Sequence, residues 1–419
     1  MPVSRHQLEA ATKALDLALA FERPADAVLH DFFRAHRDLG SRDRALVADA
    51  VYGALRRLRS VEYLAHGRTP RRMLLAWLVR WAGVSVRELA PALGTDEATW
   101  LAESKAMSLS ELPLAARLDL PDWLVERLQT DLPEPELEAL ARALNEQAPL
   151  DLRVNTLLAG REQVLKELAA DEIAAVPTPY SPVGVRIRGR PAINRHPLFA
   201  RGAVEVQDES SQLLGFLLAP RRHDLVVDFC AGAGGKTLLL GALMHSQGRI
   251  YAFDVSATRL ARLKPRLRRS GLSNVHPQVI GAENDTRVKR LAGKIDRVLV
   301  DAPCSGLGTL RRNPDLKWRQ SPQSVAELTA KQAAILRAGA RLVKPGGRLV
   351  YATCSILCEE NENIVGRFLD EKTSFRLVPC AGILAQQRIA LDTGDFLQLR
   401  PHVHATDGFF AAVIERSRP

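Results

Sequence analysis

The sequence predicts a doubly wound α/β fold in its C-terminal half, preceded by a helical region and a small α/β connector. From Arg221 onward, short apolar runs of strand length alternate with segments of helical periodicity. From residue 8 to about residue 148, apolar residues recur at the helical period of about 3.6. The 419 residues are too many for one ordinary core. We therefore place domains at residues 1–148, 149–215 and 216–419.

The elements of the C-terminal part follow from its apolar runs. The predicted strands are residues 225–229, 250–253, 275–280, 298–300, 349–352 and 408–414, and the predicted helices are residues 236–244, 257–270, 288–292 and 325–342. In the connector, residues 152–155 and 184–187 favour strands and residues 161–170 favour a helix.

The clearest N-terminal helix begins near Ser41, a residue type that caps helices. Its apolar face repeats from Leu46 to Leu58, and its other face is rich in arginine, including Arg42, Arg56 and Arg59. That basic face fits a solvated surface or an RNA contact equally well.

Composition narrows the function classes. The net charge of +10, from 58 basic and 48 acidic residues, favours an anionic partner such as nucleic acid. The N-terminus lacks a signal-peptide pattern and no apolar run could span a bilayer, so we expect a cytosolic protein without membrane contact. Five cysteines, an odd number, fit a reduced compartment better than a disulfide framework.

A glycine-rich turn follows the first strand of the C-terminal part. The turn runs through Cys230, Ala231, Gly232, Ala233, Gly234, Gly235 and Lys236. It lacks the first glycine of a Walker loop and the third glycine of a dinucleotide-binding turn. A glycine-lined turn without a phosphate cradle suits S-adenosylmethionine, which needs close approach of the backbone.

Two acidic residues follow the next strands. Asp254 ends the second strand, where a carboxylate accepts hydrogen bonds from ribose hydroxyls in such folds. Asp285 follows the third strand and is a candidate for the adenine amino group. Each could instead cap a helix, and for Asp285 taken alone that is the favoured interpretation.

Cys304 and Cys354 each lie just beyond an apolar strand, and Asp301 precedes Cys304. The carboxyl ends of parallel strands meet at one crevice, so both thiols should face one pocket. A cytosine or uracil ring accepts a methyl group at C5 only after a nucleophile adds at C6, and a thiolate is a suitable nucleophile. A second thiolate could then remove the C5 proton, while Asp301 would hydrogen-bond the ring near N3 and the amino group.

The remaining cysteines have simpler interpretations. Cys230, Cys358 and Cys380 are expected to be small buried hydrophobes. A metal site at Cys354, Cys358, His402 and His404 lacks the usual tetrahedral spacing, so no metal is expected.

Basic residues cluster in two further places. One cluster comprises Arg259, Arg262, Lys264, Arg266, Arg268 and Arg269, and the other comprises Arg311, Arg312, Lys317 and Arg319. The first fits a solvated helix face or phosphate contacts, and the second, beside the Cys304 loop, favours RNA. Trp318 is available either for base stacking or for a core.

At these residues the chain resembles the Nop/RsmB/Sun family of RNA cytosine-C5 methyltransferases, above all its bacterial ribosomal-RNA members. The matching motifs are residues 204–212, the glycine loop, residues 301–306, 309–318, 353–355 and 406–410. The resemblance implies a Rossmann-like, mostly parallel methyltransferase sheet with an antiparallel last strand. It also implies that residues 32–59 belong to an RNA-binding helical domain similar to the antitermination factor NusB.

The resemblance further implies roles for single residues. Cys354 is the implied nucleophile and Cys304 the residue that assists product release. Cys230 to Lys236, Asp254, Asp285 and Asp301 are the implied S-adenosylmethionine site, and Lys317 is implied near the base. Two departures from the family pattern are Ala233, where a proline is common, and the longer stretch 281–285, which could shift the adenine contact to Glu283.

The expected function is methylation of a cytosine in small-subunit ribosomal RNA by a monomer with no obligate protein partner. The alternatives are a transfer-RNA methyltransferase of the same family and a ribosome-assembly factor that binds RNA without catalysis.

Overall fold

A computed structural model describes residues 3–418. Its helices, in chain order, are α1 (Arg5–Ala18), α2 (Ala25–Ala35), α3 (Ser41–Arg56), α4 (Leu58–Leu64), α5 (Pro70–Arg80), α6 (Val86–Leu89), α7 (Thr95–Ala106), α8 (Leu114–Leu118), α9 (Asp122–Asp131), α10 (Glu134–Leu144), α11 (Arg161–Ala170), α12 (Pro197–Ala200), α13 (Glu209–Leu218), α14 (Gly235–Leu243), α15 (Ala257–Ala261), α16 (Leu263–Ser270), α17 (Thr286–Lys289), α18 (Leu316–Arg319), α19 (Pro322–Leu342), α20 (Glu362–Glu371), α21 (Cys380–Gln386) and α22 (Pro401–His404). Its strands are β1 (Leu150–Val154), β2 (Ala175–Pro177), β3 (Gly184–Ile187), β4 (Val204–Val206), β5 (Leu225–Asp228), β6 (Arg249–Asp254), β7 (Val275–Val279), β8 (Ile295–Asp301), β9 (Val343–Thr353), β10 (Phe375–Val378), β11 (Leu397–Leu399) and β12 (Phe409–Arg416).

The chain forms two compact units. The helical unit contains the chain up to Gln147 and also the later segment Thr309–Pro322. The α/β unit contains Ala148–Gly308 and the chain from Gln323 onward. The sequence placed residues 309–322 in the catalytic domain, and the structure corrects this, because that segment packs within the helical unit.

The helical unit is built on apolar faces of helical period. In α3, Val47, Ala50, Val51, Ala54 and Leu55 are buried against the other N-terminal helices. The helix begins at Ser41, and its N-cap is Gly40, whose N–H donates to Asp43 at 3.0 Å. The predicted start is thus one residue late, since Asp43 reaches back to cap the helix.

The α/β unit contains two sheets. A small antiparallel sheet has the strand order β2-β3-β1-β4. The larger sheet has the order β10-β12-β9-β8-β5-β6-β7, with β11 pairing β12. Strands β9, β8, β5, β6 and β7 are parallel, and β12 is antiparallel to β9. The doubly wound α/β fold with an antiparallel last strand, as expected, is confirmed.

The two sheets share one core. Helix α13 is buried in nine of its ten residues and packs on both sheets. Leu152 and Val185 of the small sheet belong to the same apolar cluster as Leu214 and Val226. The connector 149–215 is therefore not a compact unit of its own, because α13 fuses its core with that of the larger sheet.

Three local differences from the expected elements have physical causes. The predicted helix 257–270 is divided into α15 and α16, and Pro265, which has no N–H to donate, lies in the first turn of α16. Strands β10 and β11 were not predicted, because both are short and lie at the edge of the sheet.

Strand order reverses direction between β5 and β8, which places a crevice beyond their carboxyl ends. Among residues 3–418, every helix falls short of the length or the apolarity that crossing a membrane requires.

The loop after β8 is held by a close backbone approach at Gly308. Its N–H donates to Cys354 O at 2.8 Å, and its carbonyl accepts from Gly408 N at 2.8 Å. A Cβ atom at residue 308 would lie 2.1 Å from Gly408 O and 2.8 Å from Cys354 O. The position therefore admits only glycine without displacement of the loops that carry the two cysteines.

We expect Gly308→Ala to lower the free energy of unfolding by about 1–3 kcal/mol, since the new methyl group overpacks a rigid contact. The control is Gly366→Ala in α20, where an added Cβ meets open space and should stabilise by at most about 1 kcal/mol. Denaturant unfolding of the two variants measures the difference. Equal stability of both variants would contradict the close approach.

Candidate active site

The two cysteines of interest meet at the carboxyl ends of neighbouring parallel strands. Asp301 of β8 pairs with Ala352 of β9, so the loops that follow these strands start side by side. The Sγ atoms of Cys304 and Cys354 lie 3.4 Å apart, and both thiols are free and partly accessible. The structure thus brings the two thiols together, as their positions at strand ends predicted.

The contact with Cys354 changes the acidity of Cys304. The hydrogen bond with Cys354 is the largest cause that raises the pKa of Cys304 well above its usual value, followed by burial and by the charges of Cys354 and Glu360. The expected base was a second thiolate. The raised pKa favours Cys304 as a neutral thiol instead.

A half-buried ion pair lies at the end of the glycine loop. Lys236 Nζ lies 2.8 Å from Asp301 Oδ2 and 5.4 Å from the centre of the Phe409 ring. Burial lowers the pKa of Lys236, but the charge and hydrogen bond of Asp301 outweigh it, so that the pKa is raised overall. Lys236 is thus a cation committed to Asp301.

The glycine loop, residues 230–236, turns through two positive φ angles. Gly232 has φ +55° and Gly234 has φ +82°, conformations that favour glycine. A Cβ on Gly232 would meet no atom within 4 Å, so its backbone faces open space. On the other side, the loop is supported by two arginines, since Arg266 donates to Ala233 O at 2.7 Å and Arg153 donates to Gly235 O.

Motif 204–212 contributes to this support. Glu205 accepts from Arg266 and Arg269, and Gln207 accepts from the buried Arg153. Three basic residues of the cluster 259–269 have carboxylate partners, since Arg259 also contacts Asp254, which accounts for part of that cluster without RNA.

Two groups at the start of the loop are withdrawn from solvent, Asp228 completely and Cys230 in part. Burial raises the pKa of Asp228 to about 7, opposed by the hydrogen bond that Thr237 Oγ1 donates at 2.6 Å. Burial also raises the pKa of Cys230. The expectation that Cys230 packs as a small hydrophobe fits this environment.

Asp254 organises the edge of the glycine loop. Its Oδ2 accepts from Gly232 N at 2.8 Å, and its Oδ1 accepts from Ser256 N at 2.7 Å. Arg259, whose side chain is 57% exposed, contacts the same carboxylate at 3.3 Å. Arg259 is therefore an exposed partner that a ligand hydroxyl could replace.

Asp285 has the geometry of a helix cap. Its carboxylate accepts from Gly281 N at 2.9 Å and from Arg287 N at 2.8 Å. These two backbone hydrogen bonds lower its pKa. Glu283 is partly accessible in the same turn.

The basic residues after Cys304 lie within the helical unit. Lys317 is completely buried, and its ammonium donates to Asn145 Oδ1 at 2.6 Å and to Arg56 O at 3.0 Å. Burial lowers the pKa of Lys317 to about 7, against the opposing effect of Asp119. The placement corrects the expectation of a base-contacting Lys317, because its ammonium is used inside a core.

Its neighbours in sequence have similar environments. Arg311 is also buried and donates to Gln147 O at 3.4 Å, while Arg312 is half-buried. Trp318 packs on the helical core and donates to Leu55 O at 2.8 Å, which supports the core interpretation over base stacking. Arg57 and Arg59 of the N-terminal basic face pair with Asp119 and Asp122.

Sequence reasoning missed Glu360 and Gln332. Glu360 has no exposed surface, and its carboxylate accepts hydrogen bonds from the loops of both cysteines and from Gln332. The available signal was the repeated Cys-Ser dipeptide, 304–305 and 354–355, whose two hydroxyls need a shared acceptor once the cysteines meet. Among residues 3–418, no group of three or more His, Cys, Asp or Glu side chains could hold a metal ion.

Comparison with known proteins identifies the family. Residues 215–415 match the family model "16S rRNA methyltransferase RsmB/F", and residues 120–194 match the ferredoxin-like domain model of the same family. The chain belongs to the RsmB/F family of methyltransferases. The resemblance that its motifs indicated is thereby confirmed.

Similar proteins agree with this membership of the RsmB/F family. The chain is 40% identical over 283 residues to the "probable ribosomal RNA small subunit methyltransferase B" of Synechocystis sp., a match that covers 67% of this chain and 63% of the relative. It is 38% identical over 270 residues to "ribosomal RNA small subunit methyltransferase B" of Sodalis glossinidius, covering 64% and 60%. The matches thus span less than two thirds of these relatives' length. The crystal structure of the protein PH0851 superposes with a TM-score of 0.78 and 28% identity, covering 99% of this chain and all of the other.

The sulfur pair of this RsmB/F-family protein makes the reactivity of Cys304 depend on Cys354. We expect Cys354→Ala to lower the pKa of Cys304, because it removes the largest cause of the increase. Alkylation of Cys304 by iodoacetamide at pH 8 should then accelerate at least about threefold, since the thiolate is the reacting species. Peptide mass spectrometry measures the rate across pH 6–10, and Cys358→Ala serves as the control. An unchanged pH profile in Cys354→Ala would refute the shared proton.

Proposed function

We propose that this protein methylates C5 of a cytosine in small-subunit ribosomal RNA, with S-adenosylmethionine as methyl donor and a transient bond from Cys354 to the ring. The observation that carries the proposal is the 3.4 Å approach of two thiols beside the Lys236–Asp301 pair at the strand-order reversal. The names of the relatives support the substrate class. We propose a monomer in the cytoplasm. The odd number of cysteines, five, fits a reduced compartment.

The residues of the crevice fit the methyl donor. The open face of Gly232 admits a close ligand, and the buried Asp254 beside it suits hydroxyl groups. The one lysine of the loop is committed to Asp301, so the loop lacks a cation for a pyrophosphate. Cys230 to Lys236, Asp254, and Asp285 or Glu283 would hold the donor, which supplies an electrophilic methyl group when bound.

The chain's own residues account for the remaining chemistry. Cys304 would donate its S–H to Cys354 and so stabilise the thiolate that attacks C6. Asp301, held as a carboxylate by Lys236, would accept a hydrogen bond from the amino group of the ring beside N3 and so orient the base. The new S–C6 bond would make C5 nucleophilic toward the methyl group of the donor, whose S–CH3 bond would break to release a neutral thioether.

Product release needs a base at C5. Once Cys354 is a neutral thioether, its charge and its hydrogen bond no longer hold the proton on Cys304. Cys304 can then lose that proton to solvent and accept the C5 proton as a thiolate. The C5–H electron pair restores the ring double bond, the S–C6 bond breaks, and Cys354 leaves as a thiolate.

Cys354→Ala should lower methyl transfer by at least about 10³-fold, because no nucleophile remains. Cys304→Ala should instead accumulate a covalent protein–RNA complex, because the adduct forms but cannot eliminate. Incubation with radiolabelled donor and total RNA, followed by denaturing gels, measures both outcomes and the RNA size class. A covalent complex with Cys354→Ala would exchange the roles, and label in the transfer-RNA band would overturn the ribosomal substrate.

Asp254→Asn should weaken binding of S-adenosylmethionine by about 10- to 100-fold, the loss of one or two hydrogen bonds to a charged acceptor. Asp285→Asn should cost less than about threefold if Asp285 only caps α17, since asparagine also caps helices. Isothermal titration calorimetry compares the two variants with wild type. A larger loss at Asp285 than at Asp254 would reverse their assigned importance.

A further inference from the structure

Both cysteine loops converge on one buried carboxylate, that of Glu360. Each cysteine is followed by a serine, and the hydroxyls of Ser305 and Ser355 both donate to Glu360 Oε2. The Ser305 N–H donates to Glu360 Oε1 at 2.8 Å, and the two serine hydroxyls lie 3.2 Å apart. One side chain thus bridges the residues that follow Cys304 and Cys354.

Glu360 is itself fixed from two further directions. Gln332 of α19 donates to Glu360 Oε1 at 2.9 Å and to Pro303 O at 3.0 Å, which ties the start of the Cys304 loop to the same carboxylate. Tyr351 of β9 donates to the backbone carbonyl of Glu360 at 2.7 Å. The bridge therefore connects β9, α19 and both loops.

Burying this carboxylate is costly. Within residues 3–418, Glu360 makes no ion pair, so hydrogen bonds alone offset the loss of its hydration. A buried acceptor with this number of donors specifies one geometry, because any displacement leaves several polar groups unsatisfied. Apolar side chains could fill the same space, but they would not fix the separation of two loops.

We infer that Glu360 is a positioning residue that sets the distance between the sulfurs of Cys304 and Cys354. The inference rests on the proposed function, in which the two sulfurs act on adjacent ring carbons, C6 and C5. Two sulfurs that act on neighbouring ring atoms must be held at a fixed short separation. Glu360 can hold them because its carboxylate accepts hydrogen bonds from the residues that follow both cysteines.

Two substitutions of Glu360 distinguish the effect of side-chain length from the effect of charge. Glu360→Gln keeps the length of the side chain and loses its charge, and the amide can still accept from Ser305 N. Glu360→Asp keeps the charge but is one methylene too short to span both loops. If position matters, glutamine should preserve more function than aspartate, and if negative charge matters, the order should be reversed.

The first measurement needs neither RNA nor donor. Phenylarsine oxide reacts with two neighbouring thiols to form two arsenic–sulfur bonds, and the two thiol protons leave with the oxide oxygen as water. Wild-type protein should bind one equivalent that resists a competing monothiol, and Cys304→Ser should lose it. Glu360→Asp should weaken this capture at least about tenfold, and Glu360→Gln should weaken it less. Glu371→Gln, an exposed carboxylate paired with Arg337, should leave it unchanged.

The second measurement is steady-state methylation of ribosomal RNA. Glu360→Asp should lower kcat by about 10²-fold, the effect of a displacement of about 1 Å, with little change in KM. Thermal denaturation checks folding, and if Glu360→Asp does not fold, Ser305→Ala and Ser355→Ala each remove one arm of the bridge and should weaken arsenical capture instead.

The outcomes distinguish the two proposals. Capture that is unaffected by every bridge variant, or preserved in Glu360→Asp and lost in Glu360→Gln, overturns the positioning role. If arsenical capture follows the predicted order of the variants but the wild-type protein transfers no methyl group to RNA, the positioning role is supported and the proposed function is overturned.

Discussion

The parallel pairing of β8 with β9 is the constraint on which the candidate site depends. The register that places Asp301 beside Ala352 brings together two loops whose cysteines are fifty residues apart in sequence. Three further contacts hold these loops in place: the glycine contact at residue 308, the hydrogen bonds to the Glu360 carboxylate, and the ion pair of Asp301 with Lys236. A slip of one residue would turn these side chains to the opposite face of the sheet.

Charge at the site is arranged in two different ways. The Lys236–Asp301 pair balances its charges across 2.8 Å, whereas the Glu360 carboxylate is stabilised by neutral donors. Neutral donors orient the Glu360 carboxylate and leave its charge in place, whereas Lys236 neutralises the charge of Asp301. Both arrangements act on the sulfur pair, since the charge of Glu360 raises the pKa of Cys304 and the charge of Cys354 raises that of Lys236.

Much of the α/β unit was predictable, because its central parallel strands are buried and therefore appear in the sequence as continuous apolar runs. The edge strands β10 and β11 were not, since their residues alternate weakly and their pairing depends on β12. The site cysteines were predictable from their positions at strand ends. Glu360 was not, because its partners at Ser305 and Gln332 become neighbours only after the sheet forms. Lys317 was misassigned because lysine is rarely buried, and its environment depends on Asn145 and Asp119, distant in sequence.

The segment Thr309–Pro322 has a consequence for the modularity of this chain. The polypeptide leaves the α/β unit four residues after Cys304, contributes Trp318 and Lys317 to a helical core, and returns at Gln323. Removal of the N-terminal helices would expose the Trp318 indole and the Lys317 ammonium group to water, while their segment would remain attached to the α/β unit. The helical unit is therefore not an appendage that gene fusion or truncation could exchange independently, because both parts are joined by three crossings of one chain and must be inherited together.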